Sequence, residues 1–203
     1  MPLRCGPVTV ERLGPTTVRL AARTGVVVYL DPAGDVGEPR DSDLVLVTER
    51  PDPDAIARIA REDALVAIPE GIDPSGLDRP VERVAPGESF LVGPLDLHTT
   101  PAGGADGRAT GCGYALTMDG VTAFWPGRTA VFDSHRTMSV DLLLAPVGLE
   151  GAMDRRAAAD LAETLDLDLV VPVGSESAVD VESFVVDVAT RGIPIALEPP
   201  AES

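Results

Sequence analysis

The hydrophobic pattern of this chain changes period once, shortly after Phe124, and that change limits the architectures open to it. Up to that point apolar residues come in short alternating or wholly apolar runs, the pattern of strands rather than of amphipathic helices. Val8 to Leu13 and Thr17 to Ala22 alternate, and Gly25-Val26-Val27-Val28-Tyr29-Leu30 is apolar throughout. Gly14-Pro15 and Arg23-Thr24-Gly25 supply turns, and Asp31-Pro32-Ala33-Gly34 stops the third run. Further strands are predicted at Leu44 to Val47, Ala64 to Ile68, Val81 to Val84, Ser89 to Val92 and Leu95 to Thr99. Asp119-Gly120, between Tyr114 to Met118 and Val121 to Phe124, is a strong two-residue hairpin signal. One helix interrupts the series: Asp52 as N-cap and Pro53 at the first helical position lead a segment through about Arg61, with Ile56, Ile59 and Ala60 at helical spacing. The Gly-rich stretch from Pro101 to Gly113 is expected to be irregular, with Pro101 to Gly107 a flexible surface loop. It lacks the Gly-Lys-Ser/Thr of a phosphate cradle.

Beyond the change, strands and helices alternate. Leu142 to Leu144 is a predicted strand, Asp154 to Leu165 an Ala-rich helix, and Leu169 to Val173 a strand. Val179 to Arg191 follows as a helix and Ile193 to Leu197 as a last strand. No linker composition separates the halves, so one layered α/β domain over residues 1–198 is expected, with 199–203 as a short tail.

Charge narrows the partners. Thirty-three acidic residues face sixteen basic ones, for a net charge of -17, and all sixteen are arginine. An acidic surface for a cationic partner would produce such a balance. So would adaptation to molar salt, where a Debye length of about 3 Å screens self-repulsion. The acids are spread along the whole chain and lysine is absent, which favours the salt reading and a haloarchaeal cytosol. Nucleic-acid binding is disfavoured, because phosphate calls for a basic surface. No apolar run approaches the roughly 20 residues of a membrane span, and the N-terminal segment lacks a secretory h-region, so a cytoplasmic location is expected. Cys5 and Cys112 form no C-x-x-C pair and are expected to be buried or semi-buried free thiols.

In order, several segments resemble the metallo-β-lactamase-fold hydrolases, in the branch of the ascorbate-6-phosphate-lactonase-like proteins. Val10-Glu11-Arg12-Leu13-Gly14-Pro15-Thr16-Thr17-Val18 is similar to the family's opening strand and Gly-His turn. Val28-Tyr29-Leu30-Asp31-Pro32 is similar to its strand ending in Asp-Pro, and Ser42 to Thr48 to the run into its metal loop. Val84-Ala85-Pro86-Gly87-Glu88, Thr100-Pro101-Ala102-Gly103, the hairpin around Asp119-Gly120 and Val140 to Gly148 follow in the family's order, then Met153 and the Ala157-Ala158-Ala159 helix. The resemblance spans nearly the whole chain and implies a four-layer αββα sandwich, with zinc or manganese hydrolase chemistry.

The metal positions depart from the family. Its loop reads Thr-His-x-His-x-Asp-His, and aligned on Thr48 the ligand slots hold Glu49, Pro51, Pro53 and Asp54. The bridging aspartate of its Gly-Asp-Thr turn is replaced in Gly127-Arg128-Thr129, its last histidine by Gly174, and the Gly-His histidine by Pro15. A catalytic zinc needs about three protein donors and an open position. Proline and glycine side chains donate nothing, and a guanidinium opposes a cation. The expectation is therefore a degenerate, non-catalytic member, without metal or other cofactor, that binds a small molecule or a protein. Asp31, Glu49, Asp52, Asp54, Arg128 and Gly174 are the candidate remnants of its site, with an ion pair from Arg128 to one of the acids as a replacement cross-link.

The competing reading is a hydrolase with a mononuclear metal held by Glu49, Asp54 and His98, or a hard cation such as Mg²⁺ or Mn²⁺ on carboxylates. The other histidine, His135, is placed in a loop. Ser134, His135, Ser139 and Asp141 could compose a nucleophilic triad, but no Gly-x-Ser-x-Gly elbow supports one.

Overall fold

The computed structural model describes residues 3–174 and 178–197. Two sheets face each other. The first has seven strands: β1 (Leu3–Cys5), β2 (Val8–Arg12), β3 (Val18–Ala21), β4 (Val27–Leu30), β5 (Ser42–Leu46), β6 (Ala60–Pro69) and β7 (Val81–Val84), side by side in chain order. β1 to β4 pair antiparallel and β4 to β7 parallel. The second sheet holds β8 (Ser89–Val92), β9 (Leu95–Gly103), β10 (Ala109–Met118), β11 (Val121–Trp125), β12 (Leu142–Val147) and β13 (Leu169–Gly174), again in chain order. Here β8 to β11 are antiparallel and β11 to β13 parallel.

Helices cover the outer faces. α1 (Pro53–Ile59) connects β5 to β6 and places Ile56 and Ile59 against Tyr29, Val45, Val66 and Ile68. α2 (Arg155–Leu165) connects β12 to β13 and, with α3 (Ala178–Ala189), covers Phe124, Leu143, Ala145 and Val170. The largest core lies between the sheets, where Val10, Leu20, Leu30, Leu44 and Leu46 meet Leu97, Tyr114, Leu116, Leu142 and Leu144. The alternation of β2 and β3 buries one face each, whereas β12 and β13 are buried at every position because both faces are covered. This is the expected four-layer αββα sandwich.

Local signals behave as their chemistry requires. The Asp52 carboxylate accepts from Ala55 N (3.1 Å) at the start of α1, with Pro53 at its first position. Asp119 (φ 48°) and Gly120 (φ 80°) both take positive φ, as a type I′ hairpin demands. Asp119 also accepts from Thr24 N (3.1 Å) and Thr24 Oγ1 (2.9 Å), tying the β10–β11 turn to the β3–β4 turn. Cys5 and Cys112 are both buried and free.

Three expectations fail. Pro101 to Gly113 is not irregular throughout, and the expected loop from Pro101 to Gly107 is shorter: Pro101–Gly103 continue β9, Ala109–Gly113 open β10, and only 104–108 remain between them. Two of the glycines there mark close packing: a Cβ on Gly103 would collide with Arg108 O, and one on Gly113 would lie 2.7 Å from both Pro126 O and Thr100 Oγ1. Ile193 to Leu197 is no full strand, and only Ile195 bridges to Val170. His135 sits in a short 3-10 helix (Asp133–Thr137) rather than in a loop. The expected tail, 199–203, lies outside the described residues. Among the described residues, no helix is long and apolar enough to cross a membrane.

Candidate functional site

Residues 48–51, between β5 and α1, form the rim where the two sheets open. Thr48 is anchored first. The Asp31 carboxylate accepts from Thr48 N, Thr48 Oγ1 and Trp125 Nε1, each at 2.7 Å. Asp31 holds a left-handed backbone (φ 42°), and its N–H donates to Leu46 O (2.9 Å). As a whole the residue is only part-buried, yet its carboxyl group is enclosed, and burial pushes its pKa up despite the three donors. Trp125 comes from β11, so this one carboxylate joins β4, the loop after β5, and the second sheet. Asp31 is not paired with Arg128; its partners are neutral donors.

Glu49 and Arg128 do meet. Arg128 Nη1 donates to Glu49 Oε2 (3.3 Å) across 79 residues of sequence, and Arg128 Nε donates to Glu150 O (2.9 Å). The contact is single rather than bidentate, with the two side chains 38% and 50% exposed. Gly127 lets the turn approach: it takes φ 74°, and a Cβ there would stand 3.2 Å from the Thr48 side chain. The neighbouring Thr129 Oγ1 accepts from Gly103 N (2.9 Å), binding the Arg128 turn to the end of β9.

The other candidates are committed elsewhere. Asp52 caps α1 and accepts from Gly34 N (2.9 Å), and these backbone donors, Gly34 foremost, hold its pKa down. Asp54 is exposed in the first turn of α1. Gly174 ends β13 at φ 134°, where a Cβ would collide with Val147 O and lie 2.9 Å from Leu149 Cγ. That backbone has no room for a histidine, and Gly174 lines neither of the cavities described next.

A cavity of about 500 Å³ opens at this rim, lined by Glu49, Arg50, Pro51 and Pro53 on one side and Gly103, Thr110 and Arg128 on the other. A smaller one of about 150 Å³, floored by Asp31 and Trp125, adjoins it and shares Thr48, Glu49, Arg50 and Arg128. Sequence reasoning missed Arg50 and Thr110. Arg50 was legible by position, lying between two ligand slots of the loop. Thr110 was not: it is the extra residue where β10 slips register against β9 between Ala109 and Gly111, and a bulge re-aims a side chain without a sequence signature of its own.

The competing metal set is not assembled. His98 lies on β9 with Nδ1 2.8 Å from Ser89 Oγ. It lines a separate cavity with Thr117, Thr122 and Ser139, whereas Glu49 belongs to the rim. Among the described residues, no group of three or more His, Cys, Asp or Glu side chains is placed to hold a metal ion. Nor is there a triad. His135 is buried, its Nε2 donates to Pro101 O (2.9 Å), and its Nδ1 accepts from Phe132 N (3.3 Å). Asp141 instead accepts from Thr122 N (2.7 Å).

Comparison with known proteins agrees with this fold. The beta-lactamase superfamily domain matches residues 9–174, and the chain belongs to that superfamily. Its fold is the metallo-β-lactamase type. Similar solved structures include a protein assigned as a metal-dependent hydrolase from Parabacteroides distasonis (TM-score 0.81, 18% identity, covering 94% of this chain and 92% of that one). Igni18, a metallo hydrolase from the archaeon Ignicoccus hospitalis, aligns with TM-score 0.73 at 18% identity over 96% of each chain. The metallo-beta-lactamase fold protein YhfI from Bacillus subtilis aligns with TM-score 0.67 at 11% identity, over 93% of this chain and 89% of that one. No curated protein matches the sequence significantly.

Proposed function

We propose that the chain is a degenerate, non-catalytic member of the metallo-β-lactamase superfamily, of the ascorbate-6-phosphate-lactonase-like branch, whose former metal cleft binds a ligand. The observation that carries this reading is the Arg128–Glu49 contact at the mouth of the cleft. A guanidinium stands where the family's bridging carboxylate would be, and its partner stands in the first histidine slot. A dinuclear hydrolase needs a bridging anion and several neutral or anionic donors. Pro51, Pro53 and Gly174 supply none, and Asp52 is engaged by backbone N–H groups. The residues present therefore do not fit a zinc or manganese pair, and no hydrolytic step is derived through one. The acid-rich, lysine-free composition supports a salt-rich cytoplasm as the setting.

The test is elemental analysis of the purified protein after exposure to Zn²⁺ and Mn²⁺ in concentrated KCl, followed by extensive dialysis. The expected result is far less than one metal ion per chain. Stoichiometric retained metal would overturn the reading.

A further inference from the structure

We propose that the 500 Å³ rim cavity is an oxyanion site, in which Arg50 and Arg128 receive the carboxylate or phosphate group of a small metabolite and Thr110 adds a hydroxyl donor. This deepens the ligand-binding reading above and rests on it. The size falls in the range of small-molecule sites. In this acid-rich chain, two guanidinium groups line one concave surface, and they differ in how they are engaged. Arg19, Arg58, Arg61 and Arg191 are each held by acidic side chains. The Arg50 guanidinium, like those of Arg4, Arg23, Arg108, Arg136 and Arg156, makes no hydrogen bond or ion pair among the described residues, and of these six it is the one that borders both the large and the small cavity.

Arg128 keeps its Nε on Glu150 O (2.9 Å), and only its Nη1 contact is weak. Its one contact with Glu49 is 3.3 Å long and half-exposed, the kind of pair that contributes little. An incoming oxyanion offers two short, parallel, charge-assisted hydrogen bonds in its place. Glu49 is thus an internal competitor for Arg128, and the ligand displaces it. Asp73 also lines the cavity, but its carboxylate already accepts from Ser75 N (2.9 Å) and Ser75 Oγ (2.8 Å), so it is turned to its own loop. Thr110 is unpaired in the ladder at the β10 bulge and borders the same space.

The assay is isothermal titration of metal-stripped protein with inorganic phosphate and, separately, citrate, at an ionic strength held constant with KCl. Saturable binding is expected for at least one of them. Arg50→Gln should weaken it about tenfold or more, as for loss of a charged hydrogen bond. Glu49→Gln should tighten it roughly two- to five-fold, the value of an exposed ion pair released as competitor. Both side chains are exposed, so both variants should unfold at the wild-type temperature without anion. No saturable heat from either anion, unchanged affinity in Arg50→Gln, or weaker binding in Glu49→Gln would each overturn the inference. Failure here with no metal retained leaves the non-catalytic reading intact. Retained metal overturns that reading whatever the titration shows.

Discussion

Asp31→Ala tests the anchor of the whole rim. The carboxylate accepts three hydrogen bonds at 2.7 Å, and removing it leaves Thr48 N–H, Thr48 Oγ1–H and Trp125 Nε1–H without their acceptor. The hydroxyl can rotate to another acceptor; the amide and the indole cannot. At about 1–3 kcal/mol for each orphaned buried donor, the gross loss is roughly 2–6 kcal/mol. Relief of the buried carboxylate's desolvation, which raises its pKa, offsets part of this. A net destabilisation of about 2–4 kcal/mol is expected. Asp31→Asn keeps an oxygen for Thr48 N but presents an NH₂ to the indole N–H, so about 1–3 kcal/mol is expected. Urea unfolding at fixed KCl measures both, and Trp125, the sole tryptophan, reports the site directly in its emission. The pH dependence has a definite sign. A folded pKa raised above the ordinary 3.8 gives stability that is full below 3.8 and declines as pH rises through the folded value. Wild type should therefore lose ground against Asp31→Asn as pH rises through that window. An Asp31→Ala protein within about 0.5 kcal/mol of wild type, the range of an ordinary surface change, would refute the reasoning.

Other regions make independent predictions. Gly174→His should not restore a metal site but cost about 3 kcal/mol or more, from left-handed strain and collision with Val147 O, read as a lowered urea midpoint or loss of soluble protein. His135 is held neutral, its pKa pushed down by burial above all, with Arg136 nearby adding to it and the Pro101 carbonyl opposing it. Its contribution to stability is present above its unfolded pKa of about 6.5 and is lost as pH falls from there through the folded value. His135→Asn should flatten that part of a stability–pH curve. Burial pushes both thiols up to about 11, so neither Cys5 nor Cys112 should react with Ellman's reagent at neutral pH until denaturant is added, when both should.

Much of the fold was legible because its signals are local. The Asp52–Pro53 start of α1, the Asp119-Gly120 turn and the alternation of β2 and β3 each depend on a few adjacent residues. The errors lie where distant packing overrides composition. Gly103 and Gly113 suggested an irregular stretch, but β9 and β10 use them where neighbouring backbone leaves little room for a side chain. The last predicted strand, Ile193 to Leu197, keeps a single bridge at Ile195. At the site, an ion pair from Arg128 to one of the nearby acids was legible, but that Glu49 rather than Asp31, Asp52 or Asp54 would be the partner was not. Nor was the pairing of Asp31 with Trp125, 94 residues away, because nothing in either segment names its partner.

By itself, then, the amino-acid order determined the succession of strands and helices, the shift of period after Phe124, and which side chains replace histidine in the loop after Thr48. These follow from local backbone preference and from the donors each residue type carries. Only the tertiary structure decided that the loop is pinned by a buried carboxylate, that Gly174 sits where no side chain fits, and that Arg50, Arg128 and a bulged Thr110 border one cavity. Those outcomes arise where two sheets close on each other, and a contact across that gap depends on register and twist accumulated over many strands.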